Sequence, residues 1–366
     1  MENHTLADYP ELHEFGWTAR WQALFAEHRA EDRLPARVLR GDRGSALVQT
    51  PQGVERAKSS VRLLKETPQA SDLPIVGDWV VLHRPEDLDF PQIEKVLERK
   101  SAIRRGDPDK TSDTQVLAAN VDVIFVVHPI ADAPHLRRIE RELSLAWDAS
   151  AKPVVVLSKA DLSTDPEGCM ESVASIALGV DILLVNALEK SSCEQLLKYI
   201  TGHQSAVLFG PSGAGKSTII NSILGEDRLS TQEVREVDGG GRHTTVAREL
   251  INIPGSGIII DTPGLRVLGL TGSAEGISSA FSDIEELALA CRFRDCSHNH
   301  EPGCAVQIAI EGSTLLPERL ASYNKLMKEA QFAARKTDAR LRAEEESKWK
   351  LVSKAAREFN KRKKRD

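Results

Sequence analysis

No apolar run in this 366-residue sequence reaches the ~20 residues that a membrane-spanning helix needs; the longest, Val121 to Val127, is the length of a strand. The opening Met1-Glu2-Asn3-His4, with Asp8 close behind, lacks the basic start and apolar stretch of a secretory signal. Cysteine is scarce too, and five in the chain cannot form a disulfide scaffold. These shortages lead us to expect a cytoplasmic protein without a membrane partner. Cys169 and Cys193 stand alone and read as inert thiols, whereas Cys291, Cys296 and Cys304 cluster, which points to metal. What is present suffices for real cores. At 41% hydrophobic and 28% charged residues, the chain is long enough for roughly two to three domains.

The net charge of −6 hides an asymmetry. Residues 347–366 carry +7 and residues 33–65 carry +6. An acidic average with two basic islands fits a protein that meets a polyanion at defined places. A solvated tail and a charged sheet face are the plainer explanation.

Residues 11–30 read as one amphipathic helix, with Trp21, Leu24, Phe25 and His28 on one face, packed on a neighbouring domain. From Pro35 to Arg105 the pattern is of short strands: 36–40, 46–50, 61–64, 76–82 and 93–97, with turn signals at Gly41-Asp42-Arg43-Gly44 and Pro51-Gln52-Gly53. Five strands in ~70 residues suggest a small β-barrel, an oligonucleotide-binding (OB) fold being one candidate. From Val121 strands alternate with helices, which implies a parallel sheet covered on both faces. After Leu270 the pattern is helical, through a Cys/His cluster and into a basic end.

Gly210-Pro211-Ser212-Gly213-Ala214-Gly215-Lys216-Ser217, followed by Thr218, matches G-x-x-x-x-G-K-[ST] between a predicted strand and a predicted helix. Its glycines let backbone N–H groups close around phosphate oxygens at a helix N-terminus. Lys216 would reach the outer phosphates and Ser217 would ligate Mg²⁺. Asp261-Thr262-Pro263-Gly264 ends the apolar strand 258–260. That places Asp261 where a carboxylate holds the metal through water, and lets Gly264 offer its N–H to a γ-phosphate. Between these motifs, Gly239-Gly240-Gly241-Arg242-His243-Thr244-Thr245 reads as a mobile loop whose threonine closes on Mg²⁺ when the γ-phosphate is present. We take Thr245 rather than Thr244 for that role.

Ser158-Lys159-Ala160-Asp161 follows the strand 153–157 and resembles the N-K-x-D element by which GTPases read guanine. A carboxylate accepts from guanine N1–H and the 2-amino group, and adenine leaves that acceptor unpaired. Ser158 stands where asparagine is usual, and a serine is expected not to bridge to the phosphate loop as an amide does. Asn186-Ala187, after the strand 182–185, resembles the S-A element whose N–H contacts guanine O6, with Asn186 in place of serine.

In ordinary GTPases the selector follows the phosphate loop; here it precedes it. In that order, the motifs resemble the circularly permuted GTPases of small-ribosomal-subunit assembly, the RsgA (YjeQ) family. The resemblance covers about residues 33–330. It implies an N-terminal OB-fold, a permuted α/β P-loop GTPase domain and a small helical zinc domain, acting late in maturation of the small subunit and its rRNA. We therefore expect a helical extension at 1–32, an OB-fold at 33–105, the GTPase domain at 106–270, the zinc domain at 271–330 and a basic helical tail at 331–366, in a monomer.

Cys291, Cys296, His298 and Cys304 offer three thiolates and an imidazole within 14 residues, a closed and therefore structural zinc set. His300 is an alternative ligand, and the resemblance favours His298. The position after D-x-x-G, often a water-orienting glutamine, is Leu265. His243 is the candidate to position water instead, a role the resemblance supports. Two other functions compete: a P-loop kinase of small molecules, and a zinc-containing RNA-binding protein with a vestigial nucleotide site. The chain order further suggests a clamp in which nucleotide state sets the angle between the barrel and the zinc module.

Overall fold

The computed structural model describes residues 8–42, 44–67, 70–85, 88–106, 114–229, 248–262, 272–299 and 301–337. Five strands, β1 (Arg33–Asp42), β2 (Ser45–Thr50), β3 (Gly53–Ser59), β4 (Trp79–His83) and β5 (Gln92–Val96), close in the order β1-β2-β3-β5-β4-β1. Only the β3–β5 pair among them is parallel. Ala36, Val38, Ala46, Val48, Ala57, Leu63, Val80, Leu82 and Ile93 fill the barrel.

Two expectations are corrected in this region. Residues 61–64 are not a strand but part of helix α2 (Val61–Glu66), which the Ser60 hydroxyl caps by accepting from Leu63 N–H at 3.1 Å. The third strand is the charged stretch 53–59, where Ala57 alone is fully buried, so no apolar alternation marks it. At the N-terminus a single helix over 11–30 is replaced by a 3₁₀ turn, Pro10–Phe15, and helix α1 (Ala19–Ala26). Gly16, at φ +82°, breaks them apart. Leu12, Trp17, Trp21 and Phe25 pack on Trp79, Val81 and Leu97 at the outside of the barrel.

A hairpin of β6 (Ala102–Gly106) and β7 (Thr114–Ala119) leads into the second sheet. There β8 (Val123–Pro129), β9 (Lys152–Ser158), β10 (Asp181–Val185), β11 (Ser205–Phe209), β12 (Glu249–Ile253) and β13 (Gly257–Asp261) run in the order β10-β9-β8-β11-β13-β12. All pairs are parallel except β12–β13. Val123–Val127 of β8 is buried on both faces, as its continuous apolar sequence predicts. Helices α3 (Leu136–Asp148), α4 (Pro166–Ala174), α5 (Lys190–Glu194) and α6 (Lys216–Leu224) complete this layer. The barrel joins the sheet through one antiparallel partner pair, Arg40 with Glu249. Arg37, 2% exposed, reinforces the junction by donating to the Phe15 carbonyl and, at 2.8 Å, to Ser205 Oγ at the start of β11.

Helices α7 (Ala274–Ala280), α8 (Ser282–Leu289), α9 (Ala305–Glu311) and α10 (Pro317–Thr337) do not stand off on a linker. Ile277, Phe281, Ile284, Val306, Leu320 and Leu326 share one apolar cluster with Ile139, Leu143 and Val126 of the α/β layer. Buried Arg319 of α10 locks this contact. It donates to Asp283 through two bonds of 2.6 and 2.7 Å, to Glu140 of α3 at 3.0 Å, and to the Ile176 and Ala280 carbonyls. Any change of angle between these helices and the α/β layer would have to break these contacts.

Candidate nucleotide site and metal centre

The parallel strands bring their C-terminal ends to one edge of the sheet, the place where such folds bind ligands. The phosphate loop follows β11. Gly210 has φ +141°, and a Cβ there would lie 2.1 Å from the Val127 carbonyl oxygen on neighbouring β8, so only glycine fits. Gly213 and Gly215 are left-handed as well, and Gly215 opens α6. Ala214 is buried, anchoring the loop from beneath, while Ser217 and Thr218 lie half-buried in the first turn of α6. Lys216 Nζ folds back onto the carbonyls of Gly210 and Pro211, at 3.0 and 2.7 Å.

Asp261 ends β13, directly opposite Glu249 of β12. Burial, then repulsion from Glu249, pushes its pKa up to about 6, against the pull of Lys216 and the Thr262 N–H. A crowded carboxylate facing a lysine beside a phosphate loop suits a divalent cation, whose charge would relieve that repulsion.

The residues expected to select guanine lie on the loops after the next strands. Lys159 takes a left-handed conformation, φ +57°, and starts a 3₁₀ turn at Ala160–Leu162. The Asp161 carboxylate is exposed and has no hydrogen-bond partner among the described residues. Ser158 overturns an expectation. Fully buried, its hydroxyl donates 2.7 Å to the Ala214 carbonyl, so serine does bridge the selector strand to the phosphate loop. The shorter side chain suffices because the loop backbone itself comes within reach. Asn186 folds its own turn: its Oδ1 accepts from Leu188 N–H at 3.0 Å and its carbonyl from Glu189 N–H at 3.1 Å. This leaves the adjacent Ala187 N–H without a partner among the described residues, as an O6 contact requires. His243, Thr244, Thr245 and Gly264 lie outside the described residues.

Cys291, Cys296, His298 and Cys304 converge, their ligand atoms all within 4.8 Å of one another. His298 Nδ1 lies 3.6 Å from Cys291 Sγ and 3.5 Å from Cys304 Sγ, and those two sulfurs are 3.9 Å apart. A tetrahedral zinc, with bonds of ~2.0 Å to nitrogen and ~2.3 Å to sulfur, has edges of roughly 3.6 and 3.8 Å, so the set fits the metal. Burial opposes ionisation of the Cys291 thiol, but the N–H groups of Ala305 and Val306 at the start of α9, with the neighbouring thiols, hold its pKa below the usual thiol range. His300, the alternative ligand, lies outside the described residues.

Sequence reasoning missed the residue that shapes this loop. Glu301 accepts from Ser297 N–H at 2.9 Å, Asn299 N–H at 3.0 Å and the Ser297 hydroxyl. These bonds, led by the Ser297 hydroxyl, hold its carboxyl at about 2. An acid three residues after a histidine ligand was the available signal.

The first basic island is also corrected. Of its eight cations, Arg33, Arg40, Arg56 and Arg62 pair with Glu94, Asp42, Asp42 and Glu66, and Arg37 is buried. It is largely a self-neutralised barrel face rather than a free phosphate-binding stripe.

Comparison with known proteins agrees with this site. A family model described as RsgA GTPase matches residues 96–271, and one described as 50S ribosome-binding GTPase matches residues 205–356. The chain is 43% identical over 360 residues to the small ribosomal subunit biogenesis GTPase RsgA of Streptomyces coelicolor, covering 96% of each chain. It is 39% identical over 350 residues to the protein of that name from Opitutus terrae, covering 93% of this chain and 95% of that one. Among solved structures, YjeQ from Thermotoga maritima superposes with a TM-score of 0.61 at 25% identity, over 81% of this chain and 98% of that one. YloQ, a circularly permuted GTPase, shows the same fold at a TM-score of 0.61 and 23% identity, over 83% of this chain and 97% of that one. With the selector strand hydrogen-bonded to a phosphate loop that follows it in sequence, and relatives matched along almost their whole length, the chain belongs to the RsgA family of GTPases.

Proposed function

We propose that this protein hydrolyses GTP to GDP and phosphate while bound to the small ribosomal subunit and its rRNA, late in subunit maturation, as a cytoplasmic monomer. The observation that carries the reading is the Ser158–Ala214 hydrogen bond, which unites a base selector and a phosphate loop in permuted order. The relatives named for the small subunit match nearly the whole chain, barrel included. The description naming the 50S subunit covers only residues 205–356, so the fuller matches support the small subunit.

In this reading the loop 210–215 and Lys216 hold the phosphates, Asp161 and the Ala187 N–H select guanine, and Ser158 braces the two. Ser217, Thr245 and, through water, Asp261 would hold Mg²⁺, which supplies charge neutralisation at the β- and γ-phosphates. Gly264 offers its N–H to the γ-phosphate and His243 positions the attacking water. Cys291, Cys296, His298 and Cys304 hold one structural zinc. We assign the barrel to 33–105, the GTPase domain to 106–270 and the zinc domain to 271–330.

The test is GTP turnover alone, with purified small subunits and with large subunits as control. Stimulation by small subunits alone is expected. Nucleotide-independent RNA binding without turnover would instead favour the vestigial site, and phosphoryl transfer to a small molecule the kinase.

A further inference from the structure

A cleft of about 260 Å³ lies between α3 and α10, where the GTPase layer meets the C-terminal helices. Four cations line it: Arg137, Arg138 and Arg141 from α3, and Lys325 from α10. Two of them are fixed by carboxylates. Arg138 Nε lies 3.1 Å from Glu142, which also bonds buried His128, and Arg141 meets Glu329 at 2.7 Å. Arg137 and Lys325 are exposed and have no carboxylate partner among the described residues.

The placement of this charge runs against local preference. Helix α3 has no acid in its first turn and no side-chain cap, and its first turns carry three arginines. Cations at the positive end of a helix dipole are unfavourable, and such violations of local consistency concentrate at functional sites. Counting Glu142 in its lining and Glu329 paired to Arg141, the cleft retains an excess of positive charge. Its apolar side chains are Ala321 and buried Leu326, and no aromatic ring lines it, although most of its exposed surface is apolar. The aromatic anchor typical of a protein partner is therefore missing from this lining.

We infer that the Arg137–Lys325 cleft between α3 and α10 is a docking site for the RNA phosphodiester backbone, with the fixed guanidinium of Arg138 and the open Arg137 and Lys325 as donors. This rests on the proposed action at the small subunit and locates one contact surface for it. Phosphate oxygens accept bidentately from guanidinium groups, and such contacts set position rather than sequence preference. Because the cleft spans both layers, a backbone seated there touches the GTPase layer and the zinc-bearing module together. The first basic island, mostly paired within the barrel, is a weaker contributor.

The test compares the full-length wild type with Arg137→Glu/Lys325→Glu, and with Arg137→Gln/Lys325→Gln in case charge reversal disturbs folding. Three measurements are made: affinity for purified small subunits across a salt series, affinity for protein-free small-subunit rRNA, and binding of inorganic pyrophosphate. Subunit-free GTP turnover and thermal stability should be unchanged. We expect subunit and rRNA affinity to fall about tenfold or more, the log K against log salt slope to shrink by about 0.7 to 0.9 per lost contact, and no saturable pyrophosphate binding to the GDP-loaded protein, whose phosphate loop is already filled. Unchanged subunit affinity in both variants overturns the inference while leaving the proposed function standing. Loss on subunits with intact rRNA binding reassigns the cleft to a ribosomal protein. Saturable pyrophosphate binding lost in the variants makes it a small-anion site. A wild type that binds neither subunit nor rRNA sinks the proposed function itself, and this inference with it.

Discussion

Replacing Arg319 by methionine tests how the C-terminal helices are joined to the GTPase layer. Its guanidinium, 3% exposed, lies between Glu140 of α3, also 3% exposed, and Asp283 of α8, 22% exposed, and over the Phe281 ring. Methionine keeps the stem but leaves both carboxylates without their cation. Breaking a buried pair by removing one partner costs ~3–5 kcal/mol. Asp283 can recover water and Glu140 cannot, so we expect a loss near the lower end, about 3 kcal/mol. The sign of the pH dependence follows from Glu140. Burial already raises its pKa, against the pull of Ser322 and Arg319. Without Arg319 it rises further, so the folded state holds that proton more tightly than the unfolded chain. The deficit is then full at neutral pH and shrinks as pH falls through the raised pKa toward the ordinary carboxylate range. The assay is urea unfolding of the zinc-loaded protein followed by circular dichroism, at about pH 8 and about pH 5.5. The triple variant Arg319→Met/Glu140→Leu/Asp283→Leu should recover most of the loss, because an apolar replacement leaves no buried charge. A single-variant loss below about 1 kcal/mol, or one that does not change with pH, would refute the reasoning.

Four further outcomes are expected. Asp161→Asn should lose selectivity for GTP and gain xanthine nucleotide, since the new amide can donate to xanthine O2; competition binding with GTP, XTP and ATP checks it, and unchanged GTP preference removes Asp161 from the selector. Gly210→Ala should abolish nucleotide binding by isothermal calorimetry, because its Cβ meets the Val127 carbonyl at 2.1 Å, and tight binding in that variant would mean the strand pair yields. Cys296→Ser should lose the zinc and unfold the C-terminal helices first, since metal binding is folding energy for such modules; metal analysis with limited proteolysis reads both, and a metal-free yet protease-resistant protein counts against it. His243→Ala should leave GTP affinity nearly intact but lower subunit-stimulated turnover about a hundredfold or more, the lower end for a group that handles a proton, and wild-type turnover would exclude His243 from the mechanism.

What the sequence determined by itself was whatever depends on residues close along the chain. The phosphate loop follows from glycine conformations at fixed spacing, the buried strand 123–127 from an unbroken apolar run, and the metal set from four ligands within 14 residues. The closed barrel was legible from turn signals, yet its third strand was misplaced, because a strand with one buried alanine carries no alternation and Ser60 turns the next apolar stretch into a helix. Contacts between distant residues were decided only by the tertiary structure. Ser158 reaches Ala214 across 56 positions, because β9 and the phosphate loop are brought together by the sheet. Arg37 reads as part of a basic stripe until the barrel and β11 bury it against Ser205, and Arg319 looks like any cation on a basic helix until α10 packs on α3 and α8. A charged side chain's sequence says that it must find a partner if buried; which surface buries it, and which carboxylate meets it there, is a property of the packed elements.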